Sequence, residues 1–206
     1  MHDSELKAFT EKIQSGDRGY LADGDIFIAD WHTNSRVLKH SKDGRFISAW
    51  GRKGSGPGEF DVPHTIAIDA AGRVFVGSGL YTYVAVALDA STGEQKWRTD
   101  LKLRAFGAPL ASAGKVFYGV GTGNMGADTF KYDEEGEDRD KEPAGAVCCL
   151  DAATGKEEWR YPLPLSVHTG LAADAFSVYA GCRDGNVYAL DRKTGKLRWR
   201  VGIGSA

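Results

Sequence analysis

The sequence predicts an all-β chain that folds as a β-propeller of about four four-stranded blades, preceded by a short N-terminal helix. A string containing an Asp, a Thr-Gly step and a Trp-Arg pair occurs three times. Trp50, Trp97, Trp159 and Trp199 follow one another at intervals of 47, 62 and 40 residues, which is close to the length of one blade. Alternating apolar and polar residues, typical of paired strands, precede each string. Because one such unit cannot bury both faces of its sheet, the units are expected to stack.

The repeated string predicts a β-hairpin in every blade. Its Asp can accept hydrogen bonds from turn amides, its Gly can adopt positive φ, and its Trp can fill the space between neighbouring sheets. A looser copy at 35–50 has its turn at Asp43-Gly44 and Trp50 at the Trp position. The three close copies are ALDASTGEQKWR (87–98), CLDAATGKEEWR (149–160) and ALDRKTGKLRWR (189–200).

The repeats divide the chain into a cap at 1–16, with an amphipathic helix over 4–14, and a single propeller domain at 17–206. The innermost strand of the first blade has to come from GYLA at 19–22 or be missing. An acidic insertion at 122–144 is expected to be a solvated loop, with a cation or partner site as the alternative. The expected blades are 17–63, 64–101, 102–163 and 164–206.

Composition excludes several classes of partner. The formal net charge is −2, so no basic excess is available to neutralise the phosphates of a nucleic acid. No apolar run is long enough to span a membrane, and the charged N-terminus has no apolar core of a signal peptide. The three cysteines form no disulfide framework and are expected to be buried thiols. These features do not specify a cellular compartment.

Residues 83–202 resemble the PQQ-like propeller family, and their LDAxTGKxxWR strings carry the resemblance. That family includes quinone-dependent dehydrogenases, propellers that bind no quinone, and an outer-membrane assembly lipoprotein. Its members are often extracytoplasmic. Residues 24–79 resemble NHL repeats, in particular the propeller of peptidyl-α-hydroxyglycine α-amidating lyase, through GSGPGEFDVPH at 54–64.

These resemblances imply cofactors as well as a fold. By likeness to the lyase, His64 is a candidate zinc ligand at the central channel. His32 stands where the lyase has its catalytic Tyr, which counts against lyase activity. A quinone enzyme needs a Trp floor, a calcium ion and an Asp base, whereas the repeated Trp residues here are expected to pack between blades. We therefore expect no bound PQQ, and zinc and calcium are the ions to test.

Two groups of residues are candidate sites. His64 and His168 begin the inner strands of two blades, where that end of the strand opens on the channel, and two imidazoles there could share a metal or an anion. Two ligands do not complete a zinc site, so the alternative is a polar channel lining. The candidates are His64, Thr65, His168 and Thr169 at the channel mouth, and Asp30, His32, Asn34 and Arg36 on one loop of the first blade.

The sequence favours a non-enzymatic binding or scaffold module that uses its loops and channel mouth for a protein, peptide or saccharide partner. The alternative is an enzyme, either a metal-dependent lyase of the amidating type or a quinone-dependent oxidoreductase. The resembled families commonly have eight blades (PQQ-like) or five or six (NHL). Two copies could therefore pair into one eight-bladed ring, which would cover the open strand edges at both ends.

Overall fold

The computed structural model describes residues 19–22, 24–31, 34–78, 82–122 and 144–204, and for 19–22 the backbone alone. The helix predicted at 4–14, residues 123–143 of the insertion, and His32 lie outside these ranges. The described residues form strands and turns, and none of them belongs to a helix long and apolar enough to cross a membrane.

In the described part of the chain, sixteen strands form four antiparallel sheets of four strands each, in chain order, which confirms the predicted fold of about four four-stranded blades. The first sheet contains β1 (Gly19–Ala22), β2 (Asp25–Asp30), β3 (Arg36–His40) and β4 (Phe46–Trp50). The second contains β5 (Pro63–Ile68), β6 (Arg73–Ser78), β7 (Val84–Asp89) and β8 (Gln95–Asp100). The third contains β9 (Leu110–Ser112), β10 (Lys115–Gly121), β11 (Gly145–Asp151) and β12 (Glu157–Leu163). The fourth contains β13 (Ala172–Ala173), β14 (Ser177–Cys182), β15 (Asn186–Asp191) and β16 (Leu197–Gly202).

The repeated string forms the hairpin between the third and fourth strands of a sheet, as predicted. The Asp89 carboxylate accepts hydrogen bonds from the amides of Ser91 and Thr92, at 2.9 and 3.1 Å. The Ser91 hydroxyl also donates to this carboxylate, and it lowers the pKa of Asp89 well below its ordinary value together with the two amides. Gly93 has a φ of 75°, which a residue with a side chain rarely adopts. The hairpins at Asp151 and Asp191 repeat this pattern.

The core consists of three apolar clusters, each between two successive sheets. Each sheet therefore has a leading face, toward the sheet before it in the chain, and a trailing face, toward the sheet after it. Cys148, Cys149 and Cys182 are free, buried thiols within these clusters, as expected. Burial raises the pKa of Cys148 and of Cys149 to about 12, so these thiols are inert at neutral pH.

Tryptophan joins successive sheets through two contacts. The Trp97 ring lies against Gly155, the turn glycine of the next sheet, where an added Cβ would be 2.6 Å from the ring. Its Nε1 donates to the carbonyl of Ala152, at 3.0 Å. Trp159 makes the same pair of contacts with Gly195 and with the carbonyl of Arg192, at 3.2 Å.

The first junction departs from this pattern. Ser48, and not Trp50, occupies the strand position that Trp97 has in the second sheet, because Trp50 pairs with Val37, two residues further from the turn. The Trp50 ring still lies against Gly93. Lys39 supplies the missing hydrogen bond, since its Nζ donates to the carbonyl of Ala90 at 2.9 Å.

Candidate functional site

Four rings from the four sheets meet at one end of the inner strands. His64 is the second residue of β5, whereas Phe106 and His168 each precede an inner strand by four residues. Trp31 follows β2, which runs antiparallel to the inner strand β1, and so lies at the same end. Neighbouring ring centroids are 4.8 Å apart for Trp31 and His64, 6.1 Å for His64 and Phe106, and 4.5 Å for Phe106 and His168. We call these four half-buried residues the aromatic ladder.

A close approach of two backbones brings Phe106 and His168 together. A Cβ added at Gly107 would lie 2.0 Å from the carbonyl oxygen of Thr169, a distance that no side chain tolerates. The glycine therefore allows the third and fourth sheets to converge at this end. The ladder thus depends on a residue that carries no functional group of its own.

The two threonines that follow the histidines have different environments. Thr65 is 1% exposed, and its Oγ1 points into the interior beside Gly77, where an added Cβ would lie 2.9 Å from it. Thr169 is exposed on the surface. Thr65 is therefore a core residue, and of the pair only Thr169 can contact a ligand directly.

The candidate patch on the loop of the first blade is an internal network. The buried carboxylate of Asp30 accepts hydrogen bonds from Asn34 Nδ2 at 3.0 Å and from Arg36 Nε at 2.9 Å. Its charge is balanced within the chain, and the network holds the loop that carries Trp31. Asp30, Asn34 and Arg36 thus position one end of the ladder, while His32 lies outside the described residues.

His168 in the ladder is a neutral imidazole. Burial lowers the pKa of His168 from 6.5 to about 4, with smaller contributions from the nearby Arg183 and His64. At neutral pH His168 is therefore uncharged. It can stack on Phe106 and accept or donate one hydrogen bond through each of its two nitrogens.

His64 and His168 together do not supply the donors of a zinc or calcium site. Zinc takes three or four nitrogen, sulfur or oxygen ligands, and calcium takes six to eight oxygens. Phe106, which contacts both imidazoles, contributes no donor atom. Within the ranges that the structure describes, no group of three or more His, Cys, Asp or Glu residues could hold an ion. A complete site would need donors from outside these ranges.

The sequence did not predict Trp31 or Phe106 as site residues. A signal for Trp31 was available, because the residue after β2 must lie beside the start of the inner strand that pairs with it. The ring contacts themselves depend on how closely the sheets converge, which no local pattern specifies.

Comparison with known proteins agrees with this architecture. Residues 31–206 match the family model described as outer membrane protein assembly factor BamB. The human NHL repeat-containing protein 3 is 38% identical over 78 residues, covering 36% of this chain and 22% of that protein. The mouse peptidyl-glycine alpha-amidating monooxygenase is 43% identical over 49 residues, covering 22% of this chain and 5% of that protein.

A solved structure shares the fold. The crystal structure of BamB from Moraxella catarrhalis superposes with a TM-score of 0.64 at 21% sequence identity, covering 90% of this chain and 47% of that one. The chain thus spans less than half of the proteins that it matches. The resemblance to PQQ-like repeats with an NHL-like segment is confirmed, and the chain belongs to the PQQ-like β-propeller family described as outer membrane protein assembly factor BamB.

Proposed function

We propose that this chain is a non-enzymatic propeller scaffold that binds a protein partner, through a peptide segment, at the aromatic ladder. The observation that carries the proposal is the ladder itself, in which four half-buried rings from four sheets share one end of the molecule. Half-buried aromatic rings are the usual anchors of protein interfaces, because they offer a large apolar area with little entropy to lose.

The surroundings of the ladder fit binding. Thr169 and Arg183, both exposed beside His168, provide a polar rim with one positive charge. The Asp30 carboxylate is engaged by Arg36 and is not placed to act as a general base. The family description, an assembly factor, agrees with a partner that is a protein. A saccharide could stack on the same rings and is the alternative ligand.

A peptide display selection followed by titration tests this function. Selected peptides should bind the wild-type chain and bind at least about tenfold more weakly to Phe106→Ala and His168→Ala. Phe176→Ala is the matched control, because Phe176 is an exposed aromatic residue in the turn at the opposite end of the inner strand. Equal loss in all three variants, or binding only to a glycan array, would contradict the peptide-binding role.

The second candidate is a metal-dependent lyase, favoured by the local identity to the amidating monooxygenase and by His64 in its Pro-His context. Metal analysis of the purified chain distinguishes the two functions. Stoichiometric zinc that is lost in His64→Ala supports the lyase, whereas a metal-free chain that binds the selected peptides supports the scaffold. A parallel titration with PQQ and calcium tests the quinone-dependent oxidoreductase.

We also propose that a second copy of the chain is a partner. This chain covers 47% of the BamB chain that it resembles, so two copies together approach the size of that propeller. Pairing would also cover sheet surfaces that one copy leaves open. The molecular mass in solution tests pairing independently of peptide binding.

A further inference from the structure

The outer strand of the fourth sheet exposes side chains whose counterparts are buried in the sheets before it. At the repeated tryptophan, Trp97 is 7% exposed and Trp159 is 9% exposed, but Trp199 is 46% exposed. Four residues further along, Leu163 is 5% exposed and Ile203 is 69% exposed. The exposed face formed by Trp199, Val201 and Ile203 is here called the open face.

The open face is built like an interior junction. The Trp199 ring lies 5.8 Å from Tyr179, and the Trp159 ring lies 5.8 Å from Phe117, at the same relative tilt of about 40° to 45°. Trp199 therefore already has the orientation with which Trp159 reaches the next hairpin. Among the described residues no sheet follows the fourth, so the indole has no turn glycine to cover.

We infer that the open face docks on the leading face of the first sheet of a second copy, an inference that rests on the pairing proposed above. Within one copy, the hairpins at Gly93, Gly155 and Gly195 are each covered by the tryptophan of the preceding sheet. The first sheet has a hairpin at the equivalent place, one residue shorter, over Ser41–Gly44, and Gly44 has a φ of 75° and is buried within one copy. No described sheet precedes it.

The repeat defines the contacts of this junction. By equivalence with Trp159, the Trp199 ring covers Gly44 of the second copy. The Nε1 of Trp199 donates to the carbonyl of Lys42 of that copy, because Lys42 follows Ser41 at the start of its turn as Arg192 follows Asp191. Ile28 and Leu38 alternate with side chains of the trailing face and so point to the leading face, which is apolar.

Ile28 and Leu38 are already buried within one copy, at 0% and 8% exposure. Docking there must therefore exchange their present cover for the fourth sheet of the partner. We expect pairing that depends on concentration and that is slower than simple association. Two such junctions close a ring of two copies, because each copy offers one open face and one leading face.

Light scattering between ~1 and ~100 μM tests this junction on the full chain. The wild-type chain should reach twice its mass of 22.2 kDa, and Trp199→Glu should weaken pairing at least about tenfold. Phe176→Glu, which changes an exposed aromatic residue in the Asp174–Ser177 turn, should pair like wild type. Val201→Glu is the second variant, and circular dichroism verifies that each chain is folded.

Disulfide crosslinking distinguishes the arrangement of the copies. Thr99, the counterpart of Val201, donates to the carbonyl of the turn residue Gly155 at 2.7 Å. A Val201→Cys copy mixed with an Asp43→Cys copy should therefore crosslink. Two outcomes would overturn the junction while leaving pairing itself supported. The first is a crosslink between two Val201→Cys copies, and the second is a dimer that Trp199→Glu leaves intact. A wild-type chain that stays monomeric at ~100 μM overturns both pairing and the junction.

Discussion

Replacing Trp159 and Trp199 by alanine removes the same residue from the same repeat position in two environments. Trp159 packs on Gly195 and donates to the carbonyl of Arg192, whereas Trp199 belongs to the open face. The free energy of unfolding should therefore fall much further in Trp159→Ala than in Trp199→Ala. The comparison isolates what a following sheet contributes to a junction.

The magnitudes follow from burial. A tryptophan side chain that is 9% exposed has almost all of its area removed from water, and truncating such a residue costs about 3–5 kcal/mol. The orphaned carbonyl of Arg192 adds about 1 kcal/mol. Trp199 buries only about half as much area, so its truncation should cost about 1–2 kcal/mol.

Urea denaturation followed by far-ultraviolet circular dichroism measures both variants, at ~1 μM so that paired copies dissociate. Trp159→Phe is the control, because it keeps an aromatic ring and loses the hydrogen bond to Arg192, and it should cost about 1–2 kcal/mol. Equal losses for Trp159→Ala and Trp199→Ala would refute the view that the following sheet stabilises each junction.

Three further predictions concern single residues. His168 is neutral in the folded chain at neutral pH and protonates near pH 6.5 when unfolded, so its contribution to the free energy of unfolding is fully present above pH 6.5 and is lost as the pH falls toward 4. For a half-buried ring, urea titrations should show a loss of about 1–2 kcal/mol over this range, and the loss should be absent in His168→Phe. Gly107→Ala places a Cβ against the Thr169 carbonyl and should cost about 1–3 kcal/mol in thermal unfolding. Gly170→Ala is the control and should cost less than half as much, because its added Cβ would lie 4.0 Å from the nearest atom, the carbonyl oxygen of Ala108. Tyr118→Phe removes a fully buried hydroxyl that has no hydrogen-bond partner in the described chain, so it should raise the free energy of unfolding by about 1 kcal/mol. If the free energy of unfolding instead falls by more than about 1 kcal/mol, the hydroxyl binds a buried water.

The local chemistry of the hairpins was predictable because it lies within a few residues. Asp89 accepts hydrogen bonds from the amides two and three positions ahead, and Gly93 adopts the positive φ that its turn requires. These contacts are local, so the sequence pattern alone was sufficient to predict the hairpin. The four sheets follow from repetition of this unit. GYLA at 19–22 is the inner strand of the first sheet, which was one of the two possibilities that the repeat allowed.

Contacts between sheets were less predictable. Trp50 matched the repeat in sequence yet lies two residues further along its strand than Trp97 does, and the first turn, one residue shorter, accounts for one of the two. Lys39 supplies the hydrogen bond instead. Thr65 was a candidate ligand by its place beside His64 but is buried, because both faces of β5 are covered at this point. Each of these outcomes depends on the distance and register between sheets.

The hydrogen bonds from Lys39, Trp97 and Trp159 to the next hairpin have a consequence for the chain as a whole. Each bond links only neighbouring sheets, so the free energy of unfolding is approximately a sum of one contribution from each sheet and one from each junction between sheets. Unfolding should then begin at a terminus and travel inward. The number of blades is set by how many units are joined, and not by the geometry of any one of them.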